Sequence, residues 1–177
     1  NSVKPGDVIG SHSGKSIEVI DTDAEGRLAL ADALSHMIKT ESPDYMIDLA
    51  TLTGSTVRTL AYSAAAMFTN DDDMAALVSE VGDGLHERAW RLPLYDDFDA
   101  DLHSDIADVR NFSGKPVAGA ITAAKFLEFF IEDHPHWMHL DIAGVAFGDN
   151  PYAKMKSASG YGVRLLVEVM KRLITKA

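Results

Sequence analysis

The sequence predicts an α/β fold of three layers, a mixed and largely parallel central sheet flanked by helices. Two observations carry this. Short apolar runs of strand length, such as residues 45–50 and 136–143, alternate with stretches of 3.6-residue apolar period, such as residues 28–38, 118–132 and 161–176. That alternation favours parallel strands joined by covering helices. In addition, the 177 residues contain no repeat, linker or low-complexity segment, and suffice for one domain with a real core.

Composition narrows the function. At 46% hydrophobic and 24% charged residues the chain reads as globular. A net charge of −11 without a Lys/Arg cluster argues against a nucleic-acid partner held through phosphates. With no cysteine there can be no disulfide, thiolate metal site or cysteine nucleophile, and the cytoplasm is the compartment this fits. No apolar run is long enough to span a bilayer, so no membrane partner is expected.

Taken in order, Lys4-Pro5-Gly6-Asp7 is a turn that opens the chain abruptly, as in the middle of a longer protein. Strands are expected at Val8-Ile9 and at residues 17–20, with Ser13-Gly14-Lys15 turning between them. A helix follows, with Leu28, Leu30, Ala31, Leu34, Met37 and Ile38 as its apolar stripe. Ser42-Pro43-Asp44 ends it. Residues 45–50 read as a buried strand, residues 55–62 as a short helix, and residues 64–69 as a strand despite their alanines. Asn70 and the following acids start the next helix, which Gly82 and Gly84 weaken. Residues 90–94 are extended without a clear type, residues 96–104 helical, and residues 107–115 a loop. A helix over 118–132, a strand over 136–143, a loop over 148–160 and an amphipathic helix over 161–176 complete the chain.

In such sheets sites form beyond the carboxyl ends of strands, and three polar turns occupy that position, after Ile20, Ala50 and Ala143. The first is the most charged. Asp23, Glu25 and Arg27 alternate across Asp21-Thr22-Asp23-Ala24-Glu25-Gly26-Arg27-Leu28. In an extended segment all three would point to one side. Two readings follow. In one, Asp23 caps the next helix and Glu25 pairs with Arg27. In the other, the two carboxylates are hard oxygen ligands for Mg²⁺, Mn²⁺ or Zn²⁺, although two are too few for a complete two-metal centre. Spacing alone favours the first. The histidines do not change this: His139 reads as a hydrogen-bonded core residue, and no zincin, P-loop, dinucleotide or nucleophile-elbow motif is present.

The stretch 21–28 nevertheless closely resembles the signature octapeptide of the leucine (cytosol) aminopeptidase family, usually N-T-D-A-E-G-R-L. Further blocks match in order: Lys4-Pro5-Gly6-Asp7, Gly14-Lys15-Ser16-Ile17-Glu18-Val19, Asp48-Leu49-Ala50-Thr51-Leu52-Thr53-Gly54, Trp90-Arg91-Leu92-Pro93-Leu94, Ser104-Asp105-Ile106-Ala107-Asp108, Leu140-Asp141-Ile142-Ala143-Gly144 and Gly160-Tyr161-Gly162-Val163-Arg164. The resemblance implies a metal-dependent, cytoplasmic exopeptidase that removes N-terminal residues such as leucine from peptide substrates, and a homo-oligomer, usually a hexamer. It implies two divalent metal ions, Zn²⁺ or Mn²⁺ with Mg²⁺ as a further candidate, bound in part by Asp23 and Glu25. Glu25 would bridge the ions, whose charge would relieve the repulsion between the carboxylates. Arg27 matches the arginine that holds a catalytic bicarbonate. Thr51, Leu52 and Gly54 match the turn that lines the substrate pocket.

Two departures stand out. Asp21 replaces the usual asparagine, adding a negative charge. The family's other ligands, a lysine and two aspartates, and a second catalytic lysine precede the Pro-Gly-Asp turn, and nothing here matches them. Residues 1–177 are therefore expected to be the C-terminal part of the catalytic domain, inactive alone. The rival expectation is a catalytically dead scaffold or oligomerisation module of the same fold.

Overall fold

A computed structural model of the chain describes residues 2–149 and 154–176. In order they form β1 (Val8–Gly10), β2 (Ser16–Glu18), α1 (Glu25–Glu41), β3 (Met46–Ala50), α2 (Gly54–Leu60), β4 (Ala65–Thr69), α3 (Asp72–Leu85) and β5 (Ala89–Arg91). A 3₁₀ helix (Asp96–Leu102), β6 (Val109–Arg110), α4 (Gly119–Glu128), β7 (Trp137–Asp141), β8 (Phe147–Gly148), β9 (Ser157–Ala158) and α5 (Val163–Lys176) follow.

The chain divides into two compact units, residues 1–46 with 93–137 and residues 47–92 with 138–177. In the first, β2 lies between β1, its antiparallel partner, and β6, its parallel partner. Asn111 and Val109 follow from this pairing: they are carried to the end of β2, where the signature turn begins. Helix α1 stops where Ser42 takes a left-handed conformation (φ 46°) ahead of Pro43. A proline disfavours helix in the residue before it.

The four-stranded sheet runs β3-β7-β4-β5. β4 is parallel to β5 and antiparallel to β7. The Met46 N–H bonds to His136 O and the Ile142 N–H to Ala50 O, so β3 and β7 advance together as a parallel pair. The sheet is thus mixed and largely parallel, as the alternation of elements predicts. β4 is buried at every residue because it has a strand on either side. This outweighs the weak strand preference of its alanines. In the second unit, Met67, Met138 and Leu140 pack with Met74, Val78 and Val81 of α3 and Leu165 and Val169 of α5.

Local chemistry sets the ends of the helices. The Asp71 carboxylate accepts from the N–H groups of Asp73 and Met74 and caps α3. Gly82 near its other end has a packing reason: a Cβ there would lie 2.7 Å from the Glu87 carbonyl oxygen. The buried Glu87 carboxylate then accepts from the N–H groups of Gly162 and Leu165 at 3.2 and 2.9 Å and from Arg164 Nε at 2.9 Å, closing the start of α5.

Several sequence expectations need correction. Residues 89–91 are a strand, and so are residues 109–110 in what reads as a loop. Strands of two or three residues are too short to show a period. The loop over 148–160 contains the antiparallel β8–β9 pair; residues 150–153 lie outside the described residues. β3 is half-buried rather than buried, being an edge strand of its sheet. α4 ends at Glu128, four residues early, although Phe130 and Ile131 beyond it are buried. Met37 is exposed.

Candidate active site

In the first unit the charged turn is built around a buried asparagine. Asn111 follows β6 and has no exposed surface. Its Oδ1 accepts from the N–H groups of Ile20 at 2.8 Å and Asp21 at 3.2 Å. Its Nδ2 donates to the carbonyls of Asp21 at 2.6 Å and Ala24 at 3.4 Å. One side chain thereby satisfies main-chain groups on both sides of the turn, which would otherwise be buried without partners. Asp21 adds a local bond, its Oδ1 accepting from the Asp23 N–H at 2.9 Å. An asparagine oxygen could make the same bond, so Asp21 keeps the turn and changes its charge.

The three charged residues do not lie on one extended face. Glu25 and Arg27 fall in the first turn of α1, where a two-residue step rotates a side chain by about 200°. Arg27 turns inward, 5% exposed, and donates from Nη1 to the Asn111 carbonyl at 2.9 Å. Its guanidinium lies 6.0 Å from the centre of the Phe112 ring. Asp23 and Glu25 are exposed. The capping and pairing reading of these acids fails on both counts: Ala24, not Asp23, occupies the cap position without a side-chain bond, and Glu25 makes no ion pair among the described residues. Glu25, at the first helical position, is favoured by the helix dipole.

These two carboxylates have the hard oxygen donors that divalent ions take. Among the described residues, however, no group of three or more His, Asp or Glu side chains is close enough to hold an ion. The described residues therefore do not make a complete metal site.

Glu18 in β2 supports the approach to the turn. Its carboxylate accepts from Ser104 Oγ at 2.6 Å and Arg110 Nε at 3.0 Å. The Ser104 hydrogen bond first, then the Arg110 bond and charge, hold its pKa below the ordinary carboxylate range.

In the second unit the turn after β3 carries Thr51, Leu52 and Gly54. It is held by Asp141, the last residue of β7, which is 1% exposed. Asp141 Oδ1 accepts from the N–H groups of Leu52 at 3.1 Å and Ala143 at 3.2 Å. Oδ2 accepts from the Thr53 N–H at 3.0 Å and from the Thr53 and Thr56 hydroxyls, both at 2.7 Å. Thr53 in turn caps α2, its Oγ1 accepting from the Thr56 N–H. The polar turns after Ala50 and Ala143 therefore meet, as parallel β3 and β7 require. Gly144 makes the second turn fit, since a Cβ there would lie 2.2 Å from the Ala61 carbonyl oxygen.

Two residues earlier on the same face of β7, His139 is 1% exposed and stacked on Phe68. Its Nδ1 lies 2.5 Å from Asp48 Oδ1 in β3, and its Nε2 has no hydrogen-bond partner among the described residues. The core role read for it from sequence holds.

Asn111 and Asp141 have no role in the sequence reading. Each braces a turn about ninety positions away, a separation no local spacing can reveal. Among described residues no helix is long and apolar enough to cross a membrane.

The family model for the catalytic domain of the cytosol aminopeptidase family matches residues 1–167. A probable cytosol aminopeptidase of Chlorobaculum tepidum is 52% identical over 168 residues, which cover 95% of this chain and 33% of that protein. A probable cytosol aminopeptidase of Agrobacterium fabrum is 47% identical, covering 97% and 34%. The cytosol aminopeptidase of Rickettsia prowazekii is 46% identical, covering 97% and 35%. The chain thus spans about a third of the length of the curated relatives it matches. With the signature turn, the Thr51–Gly54 turn and the residues that brace them all within the matched region, the chain belongs to the cytosol aminopeptidase family.

Proposed function

We propose that the polypeptide to which this chain belongs is a metal-dependent aminopeptidase that hydrolyses peptides from the N-terminus, leucine among the residues released. The observation that carries this reading is the state of Asp23 and Glu25. Both carboxylates are exposed and make no ion pair or cap among the described residues, on a turn that Asn111 holds by four hydrogen bonds. A turn so firmly braced around two uncommitted acids suits the binding of cations.

In this reading Asp23 and Glu25 would contribute oxygen donors to two divalent ions, Zn²⁺ or Mn²⁺ with Mg²⁺ as the alternative, which would supply an activated water for hydrolysis. The remaining donors come from outside residues 1–177. Arg27, held against Asn111, offers positive charge to a bicarbonate. Thr51, Leu52 and Gly54 face the substrate. The protein acts in the cytoplasm as a homo-oligomer, a hexamer as in its family.

The test is hydrolysis of leucyl-p-nitroanilide by the full-length polypeptide with Mn²⁺ or Zn²⁺. Glu25→Gln should abolish turnover; activity near wild type would sink the metal assignment. The 177-residue chain by itself should be inactive. The absence of a three-donor group among the described residues also admits a catalytically inert scaffold. Calorimetric titration separates the two, since tight binding of two ions by the full-length polypeptide fits the enzyme alone.

A further inference from the structure

The geometry points to Asp141 as the positioning residue of the substrate-facing turn, acting through Thr53 and Thr56 rather than by touching substrate. This inference rests on the peptidase reading above for what the turn does, and on this chain's own hydrogen bonds for how the turn is set.

The donors are arranged so that one carboxylate fixes the whole turn. A main-chain segment rich in threonine and ending in glycine has many conformations of similar energy. Asp141 removes that freedom with five donors drawn from Leu52, Thr53, Thr56 and Ala143. All the donors point inward, to a group that is buried at the end of β7. The Leu52 carbonyl and the Gly54 N–H have no partner among the described residues. These are groups of the kind a peptide main chain can pair with. Asp141 thereby sorts the polar groups of the turn, holding the inward set and leaving an outward set oriented.

The carboxylate matters beyond its shape, because both oxygens can act only as acceptors when ionised. In Asp141→Asn the amide oxygen would face the Leu52 and Ala143 N–H groups, neither of which can reverse its role. The NH₂ would then oppose the Thr53 N–H, while the two hydroxyls could rotate to accept. The Thr53 amide is thus the single group left without an acceptor.

The test uses the full-length polypeptide, with amide hydrogen exchange and leucyl-p-nitroanilide kinetics measured together. In Asp141→Asn, exchange at Thr53 should quicken by about tenfold or more while Leu52 stays protected. KM should rise by a similar factor with kcat little changed, the pattern of lost uniform binding. Thr56→Val, a milder change, should raise KM by a smaller factor, and Thr56→Ser, which keeps the hydroxyl, should restore it. Unchanged exchange at Thr53, or altered exchange with unchanged KM, would overturn the inference. A wild-type polypeptide without peptidase activity would sink the peptidase reading instead, and the exchange result would then decide by itself whether Asp141 sets the turn.

Discussion

Arg27 donates from Nη1 to the main-chain carbonyl of Asn111 at 2.9 Å, although 84 residues separate them. The first turn of α1 and the strand β6 are thereby tied at the place where the Asn111 side chain holds residues 20–24. Replacing Asn111 by alanine would remove the acceptor for the Ile20 and Asp21 N–H groups together. A loss of about 2–4 kcal/mol is expected, read as a lower urea midpoint with an unchanged slope. Asn111→Asp keeps one acceptor oxygen but sets the other against the Asp21 and Ala24 carbonyls that Nδ2 now serves, and should cost at least as much.

Gly54 and Gly144 should respond oppositely to a single methyl group. At Gly144 the added Cβ would meet a main-chain oxygen at 2.2 Å, and Gly144→Ala should destabilise by more than about 2 kcal/mol. At Gly54 the nearest atom is the end of the flexible Arg58 side chain at 3.9 Å. Gly54→Ala should leave thermal stability unchanged within about 0.5 kcal/mol. On the proposed function, a raised KM in that variant would report crowding of the substrate and not damage to the fold.

Acid sensitivity should trace to Glu18. Its folded pKa lies below the ordinary value of 4.5, so its stabilising contribution is complete above that value and is lost as pH falls through the lowered one. Glu18→Gln should flatten the stability profile below about pH 4.5 and change its slope little near neutrality. Urea melts across that range measure the difference.

At the alkaline end Tyr161 should matter. Burial first, then the nearby charge of Glu87, push its phenol well above the ordinary 10.0. The folded state therefore favours the neutral phenol, whose O–H donates to the Arg88 carbonyl at 2.8 Å. Its contribution is intact below pH 10.0 and is lost as pH rises towards the folded value. Tyr161→Phe should cost about 1 kcal/mol at neutral pH and remove most of the added loss above pH 10.0. Absorbance at the tyrosinate band should show one phenol titrating late.

His139 should carry its proton on Nδ1 in the neutral ring. Asp48 accepts at that nitrogen, while Nε2 lies buried without a partner among the described residues, and an orphaned lone pair costs less than an orphaned donor. A long-range ¹H–¹⁵N spectrum should show the Nδ1–H tautomer; the Nε2–H form would refute it.

Long elements were legible because their periods are long. The stripe Ala31, Leu34 and the buried run of β7 declare themselves within a few residues. β5 and β6 do not, since strands of three and two residues are defined by their neighbours. The signature acids stand out through family resemblance, whereas spacing misplaces them: alternation over 23–27 suggests an extended face, and the helix begins at Glu25. Asn111 and Asp141 were illegible as braces for a physical reason. Their hydrogen bonds go to main-chain atoms, and a main-chain N–H looks the same in every sequence.

Each compact unit takes its residues from two separate stretches, with passages between the units at 46–47, 92–93 and 137–138. A ribosome therefore cannot release the first unit complete until residue 137 has emerged, long after α1 and the signature turn. The carboxylates at 23 and 25 leave the exit tunnel before Asn111 exists to fix the loop that carries them. Orderly assembly of the first unit is a late event, and a protease that cuts between residues 92 and 93 would leave each unit as two pieces without a covalent bond between them.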